Sequence, residues 1–173
     1  MKTARGVFDL VVLVLLILSL TQSREAWAEG KKVSGTGKGF TVLATTTMSP
    51  GDDPKHVVTL SRNVHTLYSA DPDFNNLEAQ NVTISDYTAG NGPTSGHGIR
   101  IHPSGDRWFV AWEGMQKTVP KPAGPPEITF AGKWWSTGGT GRFNGIKGGG
   151  TYKGEVTPTG VEYVWDGEYE IKR

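Results

Sequence analysis

The chain has no cysteine in its 173 residues, so no disulfide can staple it and no thiolate can act as nucleophile or metal ligand. Attachment to a membrane through a lipidated cysteine is excluded as well. Charge of one sign is also missing, with 18 basic against 17 acidic residues. Such a balance leaves no electrostatic footprint for nucleic acid. From Phe40 onward there is no amphipathic helical stretch. A hydrophobic run long enough to span a bilayer, about 20 residues, is lacking too, since the apolar stretch Leu10 to Leu20 is interrupted upstream by Asp9.

That run has a different use. Lys2 and Arg5 precede it, and a polar segment ending in Ala26-Trp27-Ala28 follows. A basic region, a short apolar region and a small-x-small site read as a secretory signal peptide over residues 1–28, cut between Ala28 and Glu29. The expected destination is periplasmic or secreted, with no stable membrane insertion after cleavage. The leader carries Lys2, Arg5 and Arg24 against Asp9 and Glu25, so the remainder is formally neutral. Residues 29–39, rich in glycine and lysine, read as a flexible N-terminal segment, and residues 40–173 as one domain.

What is present in that domain is alternation. β-branched and aromatic runs recur at Phe40 to Thr47, His56 to Leu60, Val82 to Tyr87 and Glu127 to Trp135, separated by turn residues. His97 to His102 and Arg107 to Glu113 alternate around Pro103-Ser104-Gly105-Asp106, a β-hairpin pattern. Ile99 and Ile101 share one face, and Trp108, Val110 and Trp112 share another. In the last run Val161, Tyr163, Trp165, Tyr169 and Ile171 fall on one parity and Glu162, Asp166, Glu168 and Glu170 on the other. That is one apolar and one solvated face. About eight such strands with short connections predict an all-β chain, a single antiparallel closed barrel that leaves no edge.

The densest glycines lie in "GGTGRFNGIKGGGTYKG", Gly138 to Gly154. A phosphate-binding P-loop requires Gly-Lys-Ser/Thr, but Lys147 lies between Ile146 and Gly148. The dinucleotide fingerprint counted from Gly139 and Gly141 would need glycine where Asn144 stands, and no helix pattern follows. A structural role is expected instead. Gly138, Gly139 and Gly141 are read as a tight turn, and Gly145, Gly148 and Gly150 as a bend in the next strand.

The phrase "GKWWSTGGTGRFNGIKGGGTYKG", Gly132 to Gly154, resembles the glycine signature of bacterial members of the allene oxide cyclase and dirigent β-barrel superfamily. The hairpin from Gly96 to Gly114 resembles theirs too, and the likeness covers roughly Asn91 to Tyr169. The resemblance implies an eight-stranded barrel with an apolar interior, often assembled as dimers or trimers. No local motif marks equivalents of the glutamate and asparagine that the plant cyclases use, so catalytic residues stay unassigned.

Candidate ligand-binding residues are the aromatics on apolar parities, Trp108, Trp112, Phe130, Trp134, Tyr152, Tyr163 and Trp165, with His97 and Asp86 as inward polar groups. His97 and His102 lie five apart and face opposite sides of a strand, which rules out a two-ligand pair there. The remaining histidines, His56 and His65, read as surface or capping residues. No metal and no cofactor is expected. Asp52-Asp53 and Asp71-Pro72-Asp73 read as turns, and Asn81-Val82-Thr83 matches a glycosylation triplet. Three function classes stay open: a barrel binding an apolar or aromatic small molecule, a cyclase or isomerase working by positioning and water exclusion, and a solid structural barrel. Mass spectrometry of the exported protein is expected to find the N-terminus at Glu29. An intact leader in the membrane fraction would instead make it an anchor.

Overall fold

Along each alternating stretch the side chains of one parity turn to a shared interior. The computed structural model describes residues 30–158 and 160–172. The leader, with Ala28 and Glu29, lies outside the described residues. The strands are β1 (Lys31–Met48), β2 (His56–Ser69), β3 (Leu77–Thr88), β4 (Gly92–Ile101), β5 (Arg107–Val119), β6 (Glu127–Gly139), β7 (Ile146–Thr157) and β8 (Gly160–Ile171). Each pairs antiparallel with the next, and β1 returns to β8 through Lys31–Gly37, closing the barrel. The expected all-β, eight-stranded barrel is what forms.

Its two ends differ. After β2 and after β6 the chain makes short 3-10 turns, Pro72–Phe74 and Gly141–Phe143, that drive Phe74 and Phe143 inward until both are fully buried. Phe74 meets Trp108 and Tyr169 edge-on at centroid distances of 5.1 and 4.7 Å. Polar ties hold this plug. Asp71 caps the first turn by accepting from the Asp73 N–H, and its other oxygen accepts from the Tyr169 hydroxyl at 3.1 Å. Arg142 reaches Asp73 at 2.8 Å and Asp106 at 3.1 Å. At Gly141, φ is +55°, and a Cβ there would run into the Asp106 carboxylate. The opposite end, where β1–β2, β3–β4, β5–β6 and β7–β8 connect, has no such plug among the described residues.

Glycines answer rings across the sheet. Gly35 faces Trp165, Gly37 faces Tyr163, Gly96 faces Trp112, Gly132 faces Tyr152, and Gly154 lies between Phe130 and Tyr163. Each pair consists of direct cross-strand partners, and the ring lies over the glycine. A Cβ on Gly35 would come within 2.7 Å of the Trp165 ring, and one on Gly167 within 2.6 Å of Trp134. The interior of a small barrel is too narrow for bulky residues at both members of such pairs, so small and large alternate.

Several expectations are corrected. Residues 31–39 are not flexible: they are the first half of β1, hydrogen-bonded to β8 on one side and entering β2 on the other. Their glycine and lysine content mimics a disordered segment. In the barrel Val33, Gly35 and Gly37 face inward among rings, while Lys31 and Lys32 stay in solvent. His97 and Asp86 do not point inward; both are exposed. On β4 the inward parity is Gly96, Gly98 and Arg100, because only glycine admits the Trp112 ring and the Arg100–Asn81 contact there. Ile99 and Ile101 therefore lie on the outer parity. Gly138 and Gly139 belong to β6 rather than to a turn; Gly138 sits at a bulge opposite Phe109. Gly145 hands the chain to β7, which holds Gly148 and Gly150 at close approach to β8.

At Gly37 the atoms nearest a new Cβ all belong to the Tyr163 ring. Gly37→Ala is expected to destabilise by about 1–3 kcal/mol through overpacking. Much of that loss should vanish when Tyr163→Leu is added. Denaturant unfolding of the four proteins in the cycle measures it; strictly additive losses would mean the ring does not lie over Gly37.

Candidate functional site

Above the Phe74 plug the interior is not filled. A cavity of ≈ 290 Å³ runs toward the unplugged end. Its walls are of two kinds. Strands β5 to β8 supply an aromatic wall: Trp108 and Trp112, Phe130 and Trp134, Tyr152, then Tyr163 and Trp165. All seven aromatics expected from the sequence thus meet in one place, while His97 lies outside it. Trp108, Trp134 and Trp165 are buried at depth, and Trp112, Phe130, Tyr152 and Tyr163 are half-buried.

Strands β2 to β4 supply a polar wall. Asn63, His65, Asn81 and Arg100 are all buried and bonded to one another. The Asn81 amide nitrogen donates to Asn63 Oδ1 at 2.9 Å and lies 3.4 Å from His65 Nδ1. Its oxygen accepts from Arg100 Nη1 at 2.7 Å. His65 Nε2 meets the Tyr163 hydroxyl at 2.6 Å, and Phe40 stacks on the imidazole at 5.2 Å. An amide nitrogen only donates, so Nδ1 of His65 is the acceptor and Nε2 carries the proton. Nε2–H then donates to Tyr163, whose own hydroxyl proton is left for whatever occupies the cavity.

Burial, and behind it the Arg100 charge, pushes His65 down to about 3. Burial lifts Tyr163 to about 12, against the pull of Arg100. It raises Tyr152 as well, whose hydroxyl has no partner among the described residues. Burial also works against the charge on Arg100, with Tyr163 acting the other way; arginine nevertheless keeps its proton in proteins. The guanidinium lies 5.8 Å from the centre of the Trp112 ring, a cation–π contact.

Comparison with protein-family models, with curated proteins and with solved structures finds no match. The site must therefore be read from its own chemistry.

Sequence reasoning missed the polar wall. Its signal was present in the β2 and β3 parities, since Asn63, His65 and Leu67 alternate, as do Leu77, Ala79 and Asn81. Polar residues on an alternating stretch read as the wet face, and here they are inside. Asn81 is thereby withdrawn from any role as a glycan acceptor. Among the described residues no cluster of histidine and acidic groups could hold a metal ion.

The folded His65 binds a proton far less readily than the unfolded chain, so its neutral form stabilises the fold above about pH 6.5. That contribution is lost as pH falls toward 3. His56, held by Asp52 at 2.6 Å and Asp86 at 2.7 Å, is raised instead. Its contribution is full below about 6.5 and lost only as pH rises through the raised value. Between about pH 6.5 and 5, before most carboxylates titrate, the wild-type melting temperature is expected to fall and that of His65→Gln to stay flatter. Equal slopes would show that His65 is not held neutral.

Proposed function

We propose that the chain is an exported barrel that binds one small apolar or aromatic molecule, and that it belongs with the allene oxide cyclase and dirigent-type barrels that its Gly132 to Gly154 phrase resembles. The observation that carries the binding reading is the cavity, with seven aromatic rings on one wall and a hydrogen-bonded polar wall opposite. Ligand sites are typically lined this way, apolar for affinity with a few placed polar groups for orientation. A volume of ≈ 290 Å³ sits at the lower end of the usual range, which suits a molecule of one or two rings. A solid structural barrel fits poorly with this space.

A cyclase or isomerase is the second reading. In its favour, the Arg100 guanidinium and the Tyr163 hydroxyl line the same cavity, and both are donors of the kind that stabilise a developing oxyanion. Against proton-transfer chemistry, His65 near 3 is too weak a base and Tyr163 near 12 too weak an acid at neutral pH. Both groups are better suited to hold a ligand than to exchange protons with it, so binding without turnover is preferred.

Calorimetric titration of the mature protein with 2-naphthylmethanol, a neutral two-ring probe, is expected to saturate. Trp112→Ala should weaken binding about tenfold, as loss of a stacking ring does, with a smaller stability loss than truncation of a fully buried ring. Trp165→Ala, at a ring only 4% exposed, should cost about 3–5 kcal/mol of stability. Failure of this probe and of charged aromatic probes alike to saturate would sink the binding reading.

A further inference from the structure

Arg100 is 7% exposed, and no carboxylate lies within ion-pair distance of it among the described residues. Among the described residues the cavity lining contains no aspartate or glutamate. Acidic residues are plentiful nearby in sequence, but Glu162, Asp166 and Glu168 of β8 and Glu113 of β5 point to solvent. Of its donors only Nη1 is engaged, by Asn81 Oδ1 at 2.7 Å and by the Ile99 carbonyl at 3.4 Å. Nε and Nη2 have no partner among the described residues. An uncompensated charge inside a protein is costly, and an arginine cannot escape the cost by deprotonating.

The surroundings are built to hold that charge in place. Gly98 leaves room for the Arg100–Asn81 bond, since a Cβ there would press within 2.6 Å of Nη1. Asn81 is fixed in turn by Asn63 and His65. The cation–π contact with Trp112 holds the other side. The one other basic group in the lining, His65, stays neutral, so the cavity carries a single positive charge. Elsewhere in the same lining the Tyr163 hydroxyl offers a proton that no described residue accepts. The cavity therefore presents donors that await an acceptor.

From this juxtaposition we infer that the ligand is a compact aromatic carboxylate, a monoanion whose carboxylate sits on the free edge of the Arg100 guanidinium while its ring lies against Trp112 and Phe130. The planar fork of arginine matches a carboxylate with two parallel hydrogen bonds. One cation calls for one negative charge; a dianionic phosphate would leave an excess in a cavity with no second cation. This inference rests on the cavity being a binding site, and it adds the charge class of the occupant.

The test compares 2-naphthoate with neutral 2-naphthylmethanol by calorimetry at pH 7, on wild-type protein and on Arg100→Met. In wild type the anion is expected to bind about 10- to 100-fold more tightly, the size of a hydrogen bond to a charged group. Arg100→Met should lose that preference, so that it binds the two probes with similar affinity. Equal wild-type affinities for the two probes would overturn the carboxylate inference and leave the cavity reading intact. Saturation by neither would overturn both. Should Arg100→Met fail to fold, the wild-type pair of titrations still decides.

Discussion

The contact on which the rest of this barrel depends is a ring lying over a glycine on the neighbouring strand. It recurs from β1–β8 through β4–β5 to β6–β7 and β7–β8. With no disulfide available, stability must come from burying these rings, and a bulky side chain at the partner position would push them out. Glycine in a strand is ordinarily unfavourable. Here that penalty is offset by the area of tryptophan or tyrosine that covers it. The same pairing brings the glycine-rich first half of β1 into the wall, since Gly35 and Gly37 are where Trp165 and Tyr163 come to rest.

Because seven of the lining aromatics come from β5 to β8 and the buried polar residues from β2 to β4, the interior is divided lengthwise rather than in layers. The plug at one end completes the design. Phe74 and Phe143 seal it, and Arg142 ties their two turns together through Asp73 and holds the β4–β5 turn through Asp106. What remains is a pouch with a floor, one greasy side and one side of hydrogen-bond donors. Such a space excludes water from a bound ring while keeping polar contacts for one end of it, and electrostatic contacts in it are stronger than in water.

The polar wall carries a cost that the aromatic wall does not. Asn63, Asn81 and His65 satisfy one another, but Arg100 brings a charge that no carboxylate among the described residues neutralises. A chain selected for stability alone would place an apolar residue there. Retaining arginine at such a point, under a tryptophan and behind two asparagines, is the mark of a position kept for an occupant. The acids that might have paired with it line the outer face, where they keep a formally near-neutral chain solvated.

Much of the barrel was legible in the chain. The period-two patterns from Phe40 onward determined the fold class, the strand number and seven aromatic lining residues, because alternation is a local property and an aromatic face has to be buried somewhere. Two things were beyond it. Lys31 to Gly39 carries no apolar alternation, and its strand is set by the partners on either side, β8 and β2, that it joins to close the sheet. The inward parity of β4 reads Gly96, Gly98, Arg100 and its outward parity His97, Ile99, Ile101, so the local pattern pointed the wrong way. Which face of a strand is interior depends on what lies opposite, here Trp112 and Asn81, and only the tertiary structure brings those groups to it.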